Sequence, residues 1–333
     1  MDTLTALGLA RDLVDIDSTT GREAAAGRWL ADRLRALGYV VSQQRVDEER
    51  FNLFAAIEPP DIVLSTHYDC VPPFIPSSVR DGKLYGRGAC DAKGILAAQM
   101  AAVERLRADG ERRVGMLFVV GEERGSDGAL AANAAANGSK FLVNGEPTGN
   151  HVATATRGVL RVRLHAAGQA GHSSAAEKYE SAIEKLVDAL VRLRRVQLPS
   201  DPEFGTTSYS IGLIEGGVAP NVVAAHASAE VMFRTVGDTR DVIAAVASLT
   251  PLVSVEEVLV VPPIRMHTVP GFPTQSFPFT TDIPLLDRWG APLLVGPGSF
   301  LLAHTDAEHL ELAEFEAGIE TYRRLVGALR RLT

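Results

Sequence analysis

Three short apolar runs, each closed by an acid or an imidazole, constrain this chain more than any other feature. Ile62-Val63-Leu64-Ser65-Thr66 ends at His67. Val114-Gly115-Met116-Leu117-Phe118-Val119-Val120-Gly121 ends at Glu122-Glu123, and Lys140-Phe141-Leu142-Val143-Asn144-Gly145 ends at Glu146. Such runs read as buried strands. Ligand sites in open α/β sheets gather at the carboxyl ends of strands, so three endings of this kind predict one shared site. Carboxylates and imidazoles without thiolates are the ligand set of a hydrolytic zinc, manganese or cobalt centre.

The surrounding pattern predicts the scaffold. Thr3 to Ile16 and Gly21 to Leu37 carry apolar residues at helical spacing, with Gly38 as a stop for the second. Tyr39–Val46, Phe51–Ile57 and Ile62–His67 read as strands, and Ala92 to Ala108 as a helix. Arg113–Val120, Ser126–Ala136 and Lys140–Gly145 continue as strand, helix and strand. This alternation points to an α/β fold with a largely parallel sheet covered by helices. After about Thr154 the order becomes βαββαβ: Val159–Ala167, Ala182–Val196, Thr207–Ile214, Ala225–Phe233, Thr239–Leu249 and Val253–Val258. That is the ferredoxin-like split unit. A Pro-rich stretch (Pro262, Pro263, Pro270, Pro273, Pro278) then leads to a strand at Leu293–Gly296 and an amphipathic helix at Glu314–Leu332. An inserted domain over 157–259, inside a discontinuous domain of 1–156 and 260–333, explains this order better than two tandem domains.

Bulk properties exclude several classes. At 333 residues two domains are expected. A net charge of -8 argues against nucleic-acid or anionic-membrane partners. No apolar run approaches a membrane span, and Met1-Asp2-Thr3-Leu4 lacks the start of a signal peptide. Cys70 and Cys90 are too few for a disulfide framework. The expectation is a soluble cytoplasmic protein.

The candidate site residues each admit a plainer reading. In Ser65-Thr66-His67-Tyr68-Asp69, Asp69 falls on the same side of an extended backbone as His67, where it can orient a metal-bound imidazole or simply meet solvent. Gly86-Arg87-Gly88-Ala89-Cys90-Asp91-Ala92-Lys93-Gly94 has the glycines of a phosphate loop, yet Asp91 replaces the third glycine and would repel a pyrophosphate. Asp91 then sits at a helix N-terminus, as a cap, a ligand or both. The like charges of Glu122 and Glu123 repel, a cost that a nearby cation removes for one while the other holds a raised pKa suited to base work. His304, in Leu302-Ala303-His304-Thr305-Asp306, follows the loop Gly296-Pro297-Gly298-Ser299, whose glycines let backbone approach a ligand.

Taken together, His67-x-Asp69, Gly-Arg-Gly-x-x-Asp91-x-Lys-Gly, Glu122-Glu123, Gly-Glu146-Pro-Thr and Ala-His304-Thr resemble the di-zinc hydrolase family of acetylornithine deacetylase, succinyl-diaminopimelate desuccinylase, aminoacylase and carboxypeptidase G. The resemblance runs from about Arg11 to Arg330. It implies a zinc-peptidase-like, mixed sheet between helices, with the inserted α+β domain acting as lid and dimerisation domain of a homodimer. It implies two divalent ions, zinc first, with cobalt or manganese as alternatives. His67 and Glu146 would bind one ion, Glu123 and His304 the other, and Asp91 both. Glu122 would be the general base and Asp69 the partner of His67. His172, in Gly171-His172-Ser173, matches a histidine that reaches into the site of a second copy and holds the oxyanion. Asn221 and Arg234 match positions that contact substrate.

Arg234, with Arg157 and Gly298 nearby in this scheme, suits an α-carboxylate. That fits an N-acyl amino acid or a short peptide. The sequence favours removal of an acetyl group from an amino acid, as in acetylornithine or acetyl-lysine deacetylases, ahead of dipeptidase or carboxypeptidase action. A metal-free scaffold on the same fold comes third.

Overall fold

Ile62, Leu64, Met116, Phe118, Phe141 and Val143 pack into one hydrophobic core, while Val63, Leu117, Val119 and Leu142 pack into another. Neighbouring residues of a strand point to opposite faces, so these strands are covered on both sides and carry apolar residues without alternation. The computed structural model describes residues 1–136 and 138–332. In it the strands form a six-stranded sheet in the order Val40–Arg45, Phe51–Ala56, Val114–Val119, Ile62–His67, Phe141–Asn144, Ala291–Leu294. The last four run parallel, and the first two form an antiparallel hairpin at one edge.

Helices Thr3–Val14, Ala24–Ala36, Lys93–Ala108 and Leu312–Arg330 supply the larger core. Helix Asp127–Ala134, with Leu286 and Trp289, supplies the smaller one on the opposite face. This is the helix-covered, mixed α/β sheet that the sequence predicts. Lys93–Ala108 is buried continuously from Lys93 to Val103, and in its last turn Arg105 and Arg107 complement the helix dipole. Gly110, at φ +97, then ends the segment in the left-handed conformation that glycine adopts without strain.

The chain divides into two compact units. The first holds Met1–Thr154, Met266–Gln275 and Thr281–Thr333, and the second holds Ala155–Arg265 and Ser276–Thr280. The second contains an antiparallel four-stranded sheet in the order Ser208–Gly216, His226–Thr235, Gly158–Ala167, Ser254–Val261. Helices Ala182–Leu193 and Thr239–Ala247 close its own core around Leu160, Val162, Leu164, Val231 and Phe233. Chain order and strand order together are those of the ferredoxin-like unit. Among the described residues no helix is long and apolar enough to cross a membrane.

One element of the first unit has no forecast in the sequence. Ser78–Arg80, Lys83–Tyr85 and His309–Glu311 form a three-stranded antiparallel ribbon. Three-residue strands are too short to display a period of two.

Burial on both faces predicts that truncations pointing to opposite sides cost alike. Leu64→Ala and Leu142→Ala, both fully buried and in different cores, should each lose about 2–5 kcal/mol in denaturant unfolding. A near-neutral result for either would show that its face is open.

Candidate metal centre

Parallel pairing sets His67 opposite Val119 and Ser65 opposite Asn144. His67, Glu122-Glu123 and Glu146 therefore emerge at the same end of three adjacent strands. Gly121, at φ +74, makes the turn after the middle strand; a Cβ there would come within 2.0 Å of Asp127 Oδ1. The turn closes through the Ser126 amide, which donates to Gly121 O at 2.7 Å.

Asp69 ties two of these endings together. His67 Nδ1 lies 3.1 Å from Asp69 O and 3.3 Å from Asp69 Oδ1. The same carboxylate accepts the amides of Glu122 (3.1 Å) and Glu123 (3.2 Å) and the Thr20 hydroxyl (2.8 Å). With Nδ1 facing Asp69, Nε2 is directed at Asp91 Oδ1, 3.1 Å away. His304 Nε2 reaches Asp91 Oδ2 at 3.4 Å and Glu123 Oε2 at 2.9 Å. One ligand atom from each of His67, Asp91 and Glu123 lies within 4.8 Å of the others. Asp91 does not cap the following helix, whose N-cap is Ala92 with no side-chain bond; both its oxygens face imidazoles instead.

The charges are badly matched without a cation. Burial, then the field of Asp91 and other neighbouring acids, pushes the Glu146 carboxyl well above its usual range, and its Oε1 has no partner among the described residues. Glu122 is also raised well above the usual range, first by lost solvation and then by Glu146. Lost solvation raises Glu123 too. Asp91 goes the other way: burial opposes its ionisation, but His304 and His67 hold it below the usual range. Burial would lower the His67 pKa, yet Asp69 and Asp91 raise it well above the ordinary value. His304 is pushed up to about 10 by Asp91 and Glu123. Crowded acids, an orphaned buried oxygen and two imidazoles aimed at one carboxylate fit a divalent cation. His67, Asp91, Glu123, Glu146 and His304 are the residues that could hold it.

Two acids here escaped the sequence reading. Glu308 is buried, and its Oε1 accepts the amides of Gly88 (2.9 Å), Cys90 (3.0 Å) and Asp91 (3.1 Å). Asp282 is buried, and burial pushes it up to about 7 against a hydrogen bond from Ser126. Both sit in segments rich in turns, and their types alone gave no signal.

The second unit holds the other candidates. His172 and Asn221 come together: His172 pairs with Val222 across a two-residue ladder, and the Ser173 amide donates to Asn221 O at 3.1 Å. His172 is exposed, with Nδ1 2.8 Å from Ser174 Oγ. Arg234 lies on the strand His226–Thr235, paired with Ser208 and Val159, and its guanidinium makes no hydrogen bond or ion pair among the described residues. Two expectations need correction. Arg157 directs its guanidinium to the carbonyls of Phe204 and Thr206 and so closes a turn rather than awaiting a ligand. Gly298 is buried, its amide donates to Glu314 Oε1 at 3.0 Å, and a Cβ would meet Cys90 Sγ at 2.5 Å. Its missing side chain serves packing.

Comparison with known proteins gives a consistent picture. The model of peptidase family M20/M25/M40 matches residues 63–328. A probable carboxypeptidase from Aspergillus terreus is 38% identical, over 97% of this chain and 86% of its own. A Staphylococcus aureus tripeptidase structure superposes with a TM-score of 0.83 at 21% identity, covering 97% of each chain. Human carnosine dipeptidase 1 gives a TM-score of 0.77 at 16% identity, covering 96% of this chain and 95% of its own. At those identities the two structures speak for the fold alone.

The raised imidazole pKa values set a sign for cation uptake. In the metal-free protein the carboxylates of Asp69, Asp91 and Glu123 favour the protonated forms of His67 and His304, and a cation must displace those protons. Zinc binding should release protons, and its affinity should rise with pH towards about 10. Calorimetry at pH 7 in two buffers of different ionisation enthalpy measures this; identical heats would contradict it.

Proposed function

The chain belongs to peptidase family M20/M25/M40, and from that premise we propose that it is a metal-dependent carboxypeptidase or dipeptidase acting on short peptides with a free C-terminus. The observation that carries the chemistry is Glu122. Its amide is fixed by Asp69, its carboxyl makes no hydrogen bond among the described residues, and its pKa is raised beside the cluster of His67, Asp91 and Glu123. That is the profile of a group that takes a proton from water and gives it up again.

The proposal has two ions share Asp91, because its two oxygens face different imidazoles. His67 and Glu146 would serve one ion, Glu123 and His304 the other. Bound zinc, or cobalt or manganese on the same ligands, would supply Lewis acidity towards a carbonyl oxygen and acidify bound water. Glu122 accepts the proton of the attacking water and delivers it to the leaving amine, which an amide requires. Asp69 fixes the tautomer of His67, leaving Nε2 unprotonated to face the cation. Arg234 offers an uncommitted guanidinium for the substrate's α-carboxylate, with Asn221 beside His172 as further polar contacts.

Peptide hydrolysis takes precedence here over the N-acyl-amino-acid deacylation that the sequence favoured. The relative that is 38% identical along nearly the whole chain is named a probable carboxypeptidase, and both reactions need the same carboxylate grip. A second copy of the chain is part of the proposal, with His172 serving its neighbour's oxyanion. The edge strand Ser208–Gly216 exposes Leu213 and Ile214, and helix Ala182–Leu193 exposes Ile183, Val187 and Val191 on one stripe. An exposed apolar edge of that kind invites a partner strand.

Amine release from a panel of dipeptides and N-acetyl amino acids tests the substrate class; peptides should be the faster substrates, and the reverse order would restore deacylation. Glu122→Gln should keep its metal and lose at least ~10²–10⁴-fold in kcat, so a fully active variant would remove Glu122 from the role. Arg234→Ala should weaken peptide acids by about 1.5–3 kcal/mol in kcat/KM while sparing C-terminal amides; equal losses on both would assign Arg234 to structure.

A further inference from the structure

The ribbon that the sequence did not reveal runs into the centre from both sides. Lys83–Tyr85 leads directly into the loop Gly86–Asp91, and His309–Glu311, paired to it in antiparallel register, follows directly on Glu308. The ladder continues one step towards the centre, since the Gly86 amide donates to Glu308 O at 3.2 Å. The loop carrying Asp91 and the segment carrying His304 are thus laid side by side.

Glu308 then clasps them. Three amides of the loop, from Gly88, Cys90 and Asp91, converge on its Oε1 at 2.9–3.1 Å. Gly88, at φ +89, lets the backbone curl so that these N–H groups face inward, an arrangement suited to holding an anion. Glu308 Oε2 accepts Arg87 Nη1 at 2.7 Å, and the same Nη1 donates to Thr305 O at 3.1 Å. Both side chains are almost wholly buried, at 3% and 1% exposure. A buried carboxylate is tolerated only with such a full set of donors. Four residues before Glu308 along the same segment, His304 reaches Asp91 Oδ2 at 3.4 Å. The segment therefore grips the loop twice, once by its backbone through Glu308 and once by the Asp91 carboxylate through His304.

We propose that Glu308, with Arg87 as its counter-ion, is a positioning residue of the centre: it sets the separation of Asp91 and His304 and so governs how tightly the cation is held. Glu308 binds no ion itself. The proposal rests on the metal-centre reading given above.

Zinc affinity of the full-length, metal-stripped protein, measured by chelator competition, tests it together with the visible spectrum of the cobalt-loaded protein and metal-free melting. Glu308→Gln keeps an acceptor for the three amides but loses the ion pair; Glu308→Ala loses both. Affinity should fall in the order wild type, Gln, Ala, by about 10–100-fold for the Gln variant, with an altered cobalt spectrum. A purely structural Glu308 would lower the melting temperature and leave the affinity and the cobalt spectrum of the folded Gln variant unchanged, which would overturn the proposal. Should the Ala variant fail to fold, the Gln variant decides alone. Wild-type protein that takes up no zinc would overturn the metal-centre reading and this proposal with it.

Discussion

The Asp91 carboxylate takes an imidazole on each oxygen, His67 at 3.1 Å and His304 at 3.4 Å, and the candidate metal centre is organised around that double contact. One imidazole ends a central strand, and the other lies beyond the whole inserted unit. Meeting at one carboxylate requires a sheet rigid enough to fix the first and a clasp strong enough to bring in the second. Two-sided burial of the central strands supplies the rigidity. The amides gathered on Glu308 and its ion pair with Arg87 supply the closure.

The electrostatics follow from the same geometry. A site that collects Glu122, Glu123, Glu146, Asp69 and Asp91 around two histidines is poorly compensated when empty of a cation, and the shifted pKa values record it. The acids respond differently because their neighbours differ. Asp69 and Asp91 are held ionised by direct hydrogen bonds, burial notwithstanding. Glu122 and Glu146 lack such bonds and retain their protons more readily. Two neighbouring glutamates of identical chemistry are separated in the same way: Glu123 meets His304, while the Glu122 carboxyl meets no donor among the described residues.

Much of this was legible in the sequence because it rests on periodicity. The strand Ile62–His67 was readable to its ends, since two-sided burial writes itself as an unbroken apolar run. The βαββαβ order was readable because each element is long enough to show its period. What was not legible depends on contacts distant in the chain. Three-residue strands carry no period, so the ribbon was invisible. Glu308 gave no signal because its partners include backbone amides of Gly88, Cys90 and Asp91. Arg157 and Gly298 were misread for a related reason: a guanidinium or a glycine near a motif does not reveal whether its donors or its empty face are already committed. The gathering of the five candidate ligands was anticipated only through their combined order, since each by itself had a plainer explanation.

The ribbon also bears on the order in which the molecule is made. Its strands Ser78–Arg80 and Lys83–Tyr85 precede the inserted unit in the chain, whereas His309–Glu311, which pairs with the central strand Lys83–Tyr85, follows it. A chain emerging from synthesis therefore carries His67, Asp91, Glu122, Glu123 and Glu146 before His304 is made and before Glu308 can clasp the Asp91 loop. A chain cut short of His304 would lack one of the five candidate ligands. The five candidate ligands can come together only once the segment beyond the inserted unit has been made.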